Sequence, residues 1–496
     1  MNIKKIILAV ATVATALQTF AQNYDVDAFR FSGGNNSATA RFNALGGPQT
    51  AIGGDLTSLY GNPAGLGMFT KSEFSFTPSF NIKNNETSFL GTKTTQNTSH
   101  ASINNMGIVF HSPVAKTGNL TSGLLSFNFG VGYQKTNLFK NDINFGGGVT
   151  FKNGLGEYFS ERANAENSIP GNLESDVTYA SYMGYLINND GATTSDYNPI
   201  TATDADQNLR LNSKGSQSNV DFSMGLNISN TLYLGATLGL ASINYRSNNI
   251  LNEQGITIVK DNLGVNRPYD YNANLVNNFD TQGSGVNFKL GAILKPVYEF
   301  RIGLSLETPT WYAMTDNFSQ SLSLRDIKNF PISEKENFAF DYRLSTPLKL
   351  NGGISYFIGK SGFLTANVNF IDYSNIRFRS NSSSVDKRTN AALNDQYKEA
   401  VNYSFGAEFK LVDNFMIRGG YSSLGNPYRK IDFKSENFSG GLGYRFGSYY
   451  VDGAFILNQN NIQNQYFSYG LRDRTEPAAN TITQTTNISI TFGARF

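Results

Sequence analysis

A repeated two-residue alternation of apolar and polar side chains is the feature that most constrains this chain of 496 residues. Side chains in a β-strand point alternately to opposite faces, so such a segment has one apolar and one polar face. The segment 487–496 alternates without interruption, and its apolar face carries Ile488, Ile490, Phe492, Ala494 and Phe496. Similar segments recur from about residue 71 onward, for example at 220–229, 341–350 and 401–411. The pattern predicts an all-β protein.

The lengths of the links between these segments indicate the architecture. Long links are predicted at about 83–100, 149–217, 248–282, 319–338, 381–398, 425–435 and 460–484, and short ones at about 112–121, 229–231, 295–298, 359–362, 412–414 and 447–448. Short turns that alternate with long loops are typical of bacterial outer-membrane barrels. We therefore expect a transmembrane antiparallel β-barrel of about 14 strands over residues 71–496, with a large extracellular insertion at about 149–217.

Composition and the first residues agree with a barrel in the outer membrane of a Gram-negative cell. Residues 1–21 have the basic start, apolar stretch and small-residue end of a signal peptide. The chain has 48 Gly, 13% aromatic residues and no Cys, and its net charge of +2 argues against a nucleic-acid partner. We expect a monomer in contact with outer-membrane lipid, whose C-terminal Phe496 serves as an assembly signal for the barrel-assembly machinery.

Residues 22–70 precede the first strand and do not alternate. Residues 38–45, closed by Gly46 and Gly47, are predicted to form a short helix, and Asp55 is predicted to cap a second one at 56–60. A barrel of fourteen strands encloses a lumen that leaks unless something fills it. We expect this segment to be a helical plug, and the alternative is an arm on the periplasmic side.

The sequence of this segment resembles one known family. The runs 46–47, 51–56 and 62–67 are similar to the N-terminal hatch of the FadL/TodX-type outer-membrane transporters of long-chain fatty acids and other hydrophobic compounds, and Asn62, Pro63 and Ala64 match its hatch motif. The resemblance implies passive uptake of a hydrophobic small-molecule ligand through a plugged barrel, with a lateral exit near strand 3. Pro63 fixes its own φ and disfavours the helical region for Asn62, so the pair should hold a kink between two short helices.

Glycines crowd the predicted third strand and its extension, at Gly130, Gly132, Gly146, Gly147 and Gly148. Glycine inside a strand weakens pairing and marks bends or bulges. These residues are therefore candidates for a bend or gate in strand 3. A bend with no role in transport is the alternative interpretation.

The sequence offers no catalytic or metal-binding constellation. His100 and His111 are predicted at opposite ends of one strand, more than about 30 Å apart, so they cannot ligate one haem iron together. We therefore expect no enzyme activity, metal site or cofactor. Two rival functions stay open: a barrel component of a protein secretion or surface-assembly system, which the long 149–217 insertion would suit, and an open polar porin, which the mostly uncharged polar faces disfavour.

Overall fold

The structure is a computed structural model that describes residues 24–34, 38–47, 49–115, 121–149, 154–189, 195–325, 327–466 and 479–496. The predicted signal peptide, residues 1–21, lies outside these ranges. The dominant element is a closed antiparallel barrel of fourteen strands, as predicted. The strands are β1 (Glu73–Phe89), β2 (Thr92–Pro113), β3 (Leu124–Leu138 and Asn141–Val149), β4 (Thr201–Ile228), β5 (Leu232–Lys260), β6 (Asn266–Leu294), β7 (Phe300–Glu307 and Trp311–Arg325), β8 (Pro331–Ser345 and Lys349–Ile358), β9 (Gly362–Asp372 and Arg377–Ser380), β10 (Glu399–Val412), β11 (Phe415–Leu424), β12 (Ser435–Phe446), β13 (Tyr449–Tyr466) and β14 (Ala479–Arg495).

Neighbouring strands pair in chain order, and the last strand closes the sheet on the first. β14 lies antiparallel to β1, with Glu73 opposite Arg495 and Phe80 opposite Ile488. The first and last strands therefore begin and end at the same rim of the barrel. Short turns at 229–231, 359–361 and 447–448 lie where the sequence predicted them.

The alternation seen in the sequence sorts side chains between lipid and lumen. On β4, Val220, Phe222 and Met224 are 38–45% exposed on the outside, whereas Asp221 and Ser223 are buried inside. A lipid environment requires an apolar exterior and a closed barrel, in which neighbouring strands satisfy the backbone polar groups within the bilayer. The chain is an outer-membrane barrel, as predicted. None of the helices in the described ranges is long and apolar enough to cross a membrane.

Several predicted long links are wrong, because the strands continue through them. β5 ends at Lys260 and β6 begins at Asn266, so most of the link predicted at 248–282 is strand. The links predicted at 83–100 and 319–338 are likewise mostly strand, and β4 already begins at Thr201 within the predicted 149–217 insertion. A strand needs only about 9–11 residues to cross a bilayer. Above the apolar band both faces become polar, so the alternation that defines a strand in sequence disappears.

A second correction concerns the segment 341–350. The sequence placed Tyr342, Leu344, Leu348 and Leu350 on one face, but Tyr342 and Leu344 are buried inside the barrel while Leu348 and Leu350 are exposed outside. The strand is interrupted between Ser345 and Lys349, and the interruption contains Pro347, which cannot donate to the ladder. The face that points inward therefore changes at this height, and apolar side chains enter the lumen above it.

The lumen contains three sets of helical elements. The N-terminal segment forms α1 (Tyr24–Ser32), α2 (Ala40–Asn43) and two 3₁₀ helices (Leu56–Leu59 and Pro63–Met68). The link between β3 and β4 forms α3 (Leu155–Glu166), α4 (Asp176–Met183) and a small hairpin (Ile187–Asn189 with Tyr197–Pro199). The link between β9 and β10 forms α5 (Ser383–Gln396). We call residues 38–69 the plug and the α3–α4 region with its hairpin the cap.

Candidate functional site

The plug is built around the predicted triplet. Asn62 is extended (φ −110°, ψ 105°) and separates the two 3₁₀ helices, as its position before Pro63 predicts. Its Oδ1 accepts a hydrogen bond from the Ala64 N–H at 3.1 Å, and its Nδ2 donates to the Thr50 carbonyl at 2.7 Å and to the Ala292 carbonyl of β6 at 3.3 Å. Asn62 therefore caps one helix, holds the preceding turn and ties the plug to the wall.

Wall glycines allow the plug to approach the strand backbones closely. A Cβ on Gly132 of β3 would lie 2.7 Å from Leu59 Cδ1, and one on Gly406 of β10 would lie 2.6 Å from the Leu45 carbonyl oxygen. Real Cβ atoms essentially never show contacts this short, so a side chain there would force the Leu59 side chain or the plug backbone at Leu45 to move. A Cβ would lie within 3.0 Å of a plug atom at glycines around most of the wall, and we call these residues the glycine collar: Gly107, Gly130, Gly132, Gly225, Gly235, Gly291, Gly303, Gly406, Gly420 and Gly441.

Charged and polar side chains of the wall also anchor the plug. Arg41 donates to both carboxylate oxygens of Glu408 on β10, at 2.8 and 3.0 Å, and Glu408 also accepts from Arg418 at 2.6 Å. Burial disfavours the charge of Arg41, but the Glu408 carboxylate outweighs it and raises the pKa of the guanidinium above its usual value. Arg301 of β7 donates to the Ile52 carbonyl at 2.6 Å. The plug is thus fixed to the wall on several sides.

Between plug and cap lies a buried apolar cluster whose side chains pack on one another, and we call it the chamber. Its wall consists of inward side chains of β5, β7, β8 and β9, and α1 and α5 pack against it. The Tyr24 ring of α1 lies tilted against Phe378 with a ring-centroid separation of 5.0 Å, and Phe31 meets Phe139 edge-on at 5.7 Å. The chamber residues are Ala28, Phe31, Phe139, Ala241, Ile243, Tyr245, Tyr312, Met314, Tyr342, Leu344, Ile376, Phe378, Val385, Leu393 and Tyr397. Such a lining suits apolar ligands.

The cap closes the outer mouth of the barrel. Helix α3 has no side-chain cap of its own, and the Leu155 N–H at its start donates to both carboxylate oxygens of Glu253 on β5, at 2.9 and 3.0 Å. A carboxylate at a helix N-terminus is favoured by the helix dipole. Further along α3, Arg162 forms a buried ion pair with Glu336 of β8 at 2.6 Å. The cap therefore packs on the inner faces of its own barrel.

The wall is interrupted between β2 and β3. In the described residues, the β2–β3 ladder runs from Pro113 opposite Ser126 to Asn105 opposite Gln134, and no pairing continues above it. β3 breaks at Phe139 and Lys140, and its upper segment, Asn141–Val149, pairs only with β4. The upper part of β2 therefore has no strand partner on this side.

Side chains of β1 and β2 hold the upper segment of β3 across the interruption. Lys83 donates to the Lys140 carbonyl at 2.9 Å, and Asn85 donates to Asn141 Oδ1 at 2.9 Å. Thr98 donates to Asp142 Oδ2 at 3.0 Å. Asn85 also donates to the Asp142 carbonyl, and Thr94 donates to the Asn144 carbonyl. We call these five hydrogen bonds the latch. It closes the interruption without a backbone ladder.

The strand-3 glycines lie on both sides of the interruption. Gly130 and Gly132 belong to the glycine collar and face Leu59 of the plug, whereas Gly146, Gly147 and Gly148 lie in the upper segment of β3. The latch residues were not predicted from the sequence, because they come from segments more than forty residues apart. The only local signal was the polar run 140–142 between Phe139 and Ile143.

The remaining predicted residues lie on the wall or at its rim. His100 and His111 both belong to β2, and the His111 ring contacts Asn128 at 2.8 Å. Phe496 is 64% exposed and its N–H donates to the Ser72 carbonyl at 2.9 Å. Within the described ranges, no three His, Cys, Asp or Glu residues are grouped so that they could hold a metal ion.

Comparison with known proteins identifies the same fold in solved outer-membrane channels. A FadL homologue of Pseudomonas aeruginosa has a TM-score of 0.54 and 12% identity, over 93% of this chain and 98% of that chain. The toluene transporter TodX of Pseudomonas putida has a TM-score of 0.51 and 12% identity, over 94% and 99%. The CymD monoaromatic hydrocarbon channel has a TM-score of 0.50 and 12% identity, over 93% and 98%. No protein-family model and no curated protein sequence matches the chain.

At 12% identity these comparisons establish the fold. The architecture expected from the FadL/TodX resemblance, a barrel of fourteen strands with an N-terminal plug, is confirmed over nearly the whole chain. Two of these proteins carry hydrophobic compounds: CymD is a monoaromatic hydrocarbon channel and TodX is a toluene transporter.

Proposed function

We propose that this protein takes up hydrophobic small molecules, such as long-chain fatty acids, across the outer membrane. The observation that carries the proposal is the position of Phe139. This residue is buried in the apolar chamber, where it packs on Phe31 and Tyr245, and it stands at the break in β3 beside the latch. The chamber and the interruption in the wall are thus adjacent.

The chamber supplies a site for an apolar ligand once its own aromatic side chains move. Helix α1 has nine residues and contributes Ala28 and Phe31 to the chamber, with Tyr24 and Phe29 packed against it. An apolar chain that replaces these side chains keeps the same surface out of water, at about 25 cal/mol per Å² of apolar area. A ligand can therefore enter the chamber by replacing the side chains of α1, and the apolar residues of the chamber stay out of contact with water.

Exit through the latch disrupts less of the structure than exit past the plug. The latch consists of a few side-chain hydrogen bonds, each with a net contribution of about 0.5–1.5 kcal/mol. The plug is held by the glycine collar, the Arg41–Glu408 pair and hydrogen bonds to many strands. We infer that ligand leaves sideways, between β2 and β3, when the upper segment of β3 moves.

The two rival functions lack comparable support. An open porin needs a free path for water, but plug and cap fill the two ends of the lumen. The secretion interpretation depended on a long insertion free to contact another protein. Helices α3 and α4 of that insertion instead pack on inward residues of their own barrel, including Leu251 and Leu275.

A chamber variant tests the proposal. Ile243 is 2% exposed in the chamber, and Ile258 lies on the outer face of the same strand with 37% exposure. A polar group placed in an apolar site without a partner costs about 1–3 kcal/mol, so Ile243→Asn should weaken ligand binding by about 5- to 150-fold. Ile258→Asn is the matched control and should behave as wild type.

The measurement is uptake of a fluorescent long-chain fatty acid by intact cells at equal surface expression, with heat-modifiable mobility as the folding check. Uptake should fall for Ile243→Asn alone. Equal uptake by all three proteins would contradict a role for the chamber. Uptake of a small sugar that exceeds that of cells without the barrel would instead favour a porin.

A further inference from the structure

The outer face of the barrel changes from apolar to polar at one height on β5, β6 and β7. Leu240 on β5 is 48% exposed and Trp311 on β7 is 47% exposed, and two residues further up the outward residues are Ser242 and Ala313. Exposed Trp residues mark the level where hydrocarbon meets lipid headgroups. The outer boundary of the apolar band therefore runs just above Trp311.

Two arginines face outward just above this boundary. Arg343 of β8 lies directly opposite Ala313 on one side and directly opposite Arg379 of β9 on the other. Like charges in directly opposed positions of a sheet repel each other. Among the described residues, neither guanidinium has a hydrogen bond or ion pair. By contrast, the outward Arg246 of β5 is neutralised by Asp280 at 2.7 Å.

A groove of about 860 Å³ lies between these arginines and the neighbouring strands on the outer surface. Polar side chains line it, including Ser242, Gln282, Ser284 and Thr315. Asp341 is the one carboxylate of the lining, and it accepts a hydrogen bond from the Thr315 hydroxyl at 2.7 Å. Two unpaired guanidiniums against one engaged carboxylate leave the groove cationic.

We propose that this groove binds the anionic headgroup of an outer-leaflet lipid, with a phosphate or carboxylate between Arg343 and Arg379. Guanidinium groups bind such anions through paired, charge-assisted hydrogen bonds, which would also remove the repulsion between the arginines. Trp311 lies below the groove, two strand residues or about 7 Å from Ala313, which is directly opposite Arg343. A lipid is the molecule that presents an anionic group at this height and apolar chains below it.

The two arginine side chains lie on the opposite side of the strands from the chamber, although the groove and the chamber share the wall residues Ile243, Met314 and Tyr342. On β8, Tyr342 and Leu344 face the chamber while Arg343 faces outward. Loss of lipid binding should therefore leave the ligand path intact, and a failure of the proposed uptake function would not affect the lipid site.

The test is lipid retention by the purified, folded barrel. The barrel is reconstituted in nanodiscs of phosphatidylcholine with a minor share of phosphatidate, extracted in mild detergent, and its bound lipid is counted by native mass spectrometry. We expect wild type to retain phosphatidate over phosphatidylcholine. Arg343→Gln with Arg379→Gln should reduce this preference by about 30-fold, from the loss of two surface cations. Arg246→Gln, whose charge is already paired, should keep it.

Equal preference in wild type and the double variant would overturn the proposal. Inorganic phosphate is the second arm: if millimolar phosphate displaces phosphatidate completely, the groove binds free anions and the assignment to a lipid is wrong. Persistence of phosphatidate in that competition supports it. Heat-modifiable mobility of each variant confirms that any loss reflects binding and not unfolding.

Discussion

Replacement of Asn62 by Ala should loosen the plug while leaving the barrel intact. Asn62 is 5% exposed and makes three hydrogen bonds, one as a helix cap and two that hold Thr50 and the wall residue Ala292. Loss of an N-cap costs about 0.5–2 kcal/mol, and each further buried hydrogen bond about 0.5–1.5 kcal/mol. The plug should therefore lose about 1.5–5 kcal/mol of the free energy that holds it against the wall.

Every 1.4 kcal/mol changes an equilibrium tenfold, so the fraction of barrels whose plug has left the wall should rise by about 10-fold to roughly 4,000-fold. Hydrogen exchange of peptides from residues 49–69, followed by mass spectrometry, measures this directly. The strand ladder should exchange as in wild type, and we expect uptake of a long-chain fatty acid to fall because the seated plug forms the floor below the chamber. Pro63→Ala, which frees φ at the same kink, should act in the same direction.

Asn248→Ala is the matched control, since Asn248 bonds Asn278 at 2.6 Å on the outer surface and touches no plug residue. Its plug should exchange as slowly as in wild type. The reasoning about Asn62 is refuted if plug peptides of Asn62→Ala also exchange at the wild-type rate.

Two further predictions concern the collar and the C-terminus. A Cβ at Gly235 would collide with the backbone of Pro63 and Ala64, so Gly235→Ala should displace the plug and raise ion conductance in planar bilayers. Gly419→Ala is the control and should not raise it, because a Cβ there has nothing within 4 Å. Equal conductance of the two variants would show that the collar does not hold the plug in place. Deletion of Phe496 should lower the yield of heat-modifiable barrel without lowering export, and a normal yield would show that Phe496 is only a rim residue whose backbone contacts Ser72.

The sequence predicted the membrane-facing part of the fold, because lipid on one side and plug on the other impose a strict alternation. Val220, Phe222 and Met224 were placed on the correct face for this reason. Where that constraint ends, the prediction fails. The upper strands have two polar faces, and the interruption between Ser345 and Lys349 reverses which residues point inward.

The candidate site was only partly visible in the sequence. Asn62 and Pro63 were recognised because a cap and a kink are local features. Gly225 and Gly406 lie within the alternating segments 220–229 and 401–411, but their role depends on Leu66 and Leu45 of the plug, which are distant in sequence. The latch has no local pattern, since Asn85 and Asn141 meet only when the barrel has closed.

The most direct test of the lateral route is to fix the latch reversibly. The chain contains no Cys, so Asn85→Cys with Asn141→Cys creates a single pair that spans the interruption, at positions whose side chains now bond at 2.9 Å. A cross-linked pair at Asn252 and Asn274, which are directly opposed on β5 and β6, is the control. Both pairs are joined by a short disulfide-containing thiol linker.

Fatty-acid uptake is then measured in intact cells before and after a reductant cleaves the linker. We expect the linked 85–141 barrel to lose most of its uptake and to regain it on reduction, while the linked 252–274 barrel transports normally throughout. Undiminished uptake through the linked 85–141 barrel would contradict an exit between β2 and β3.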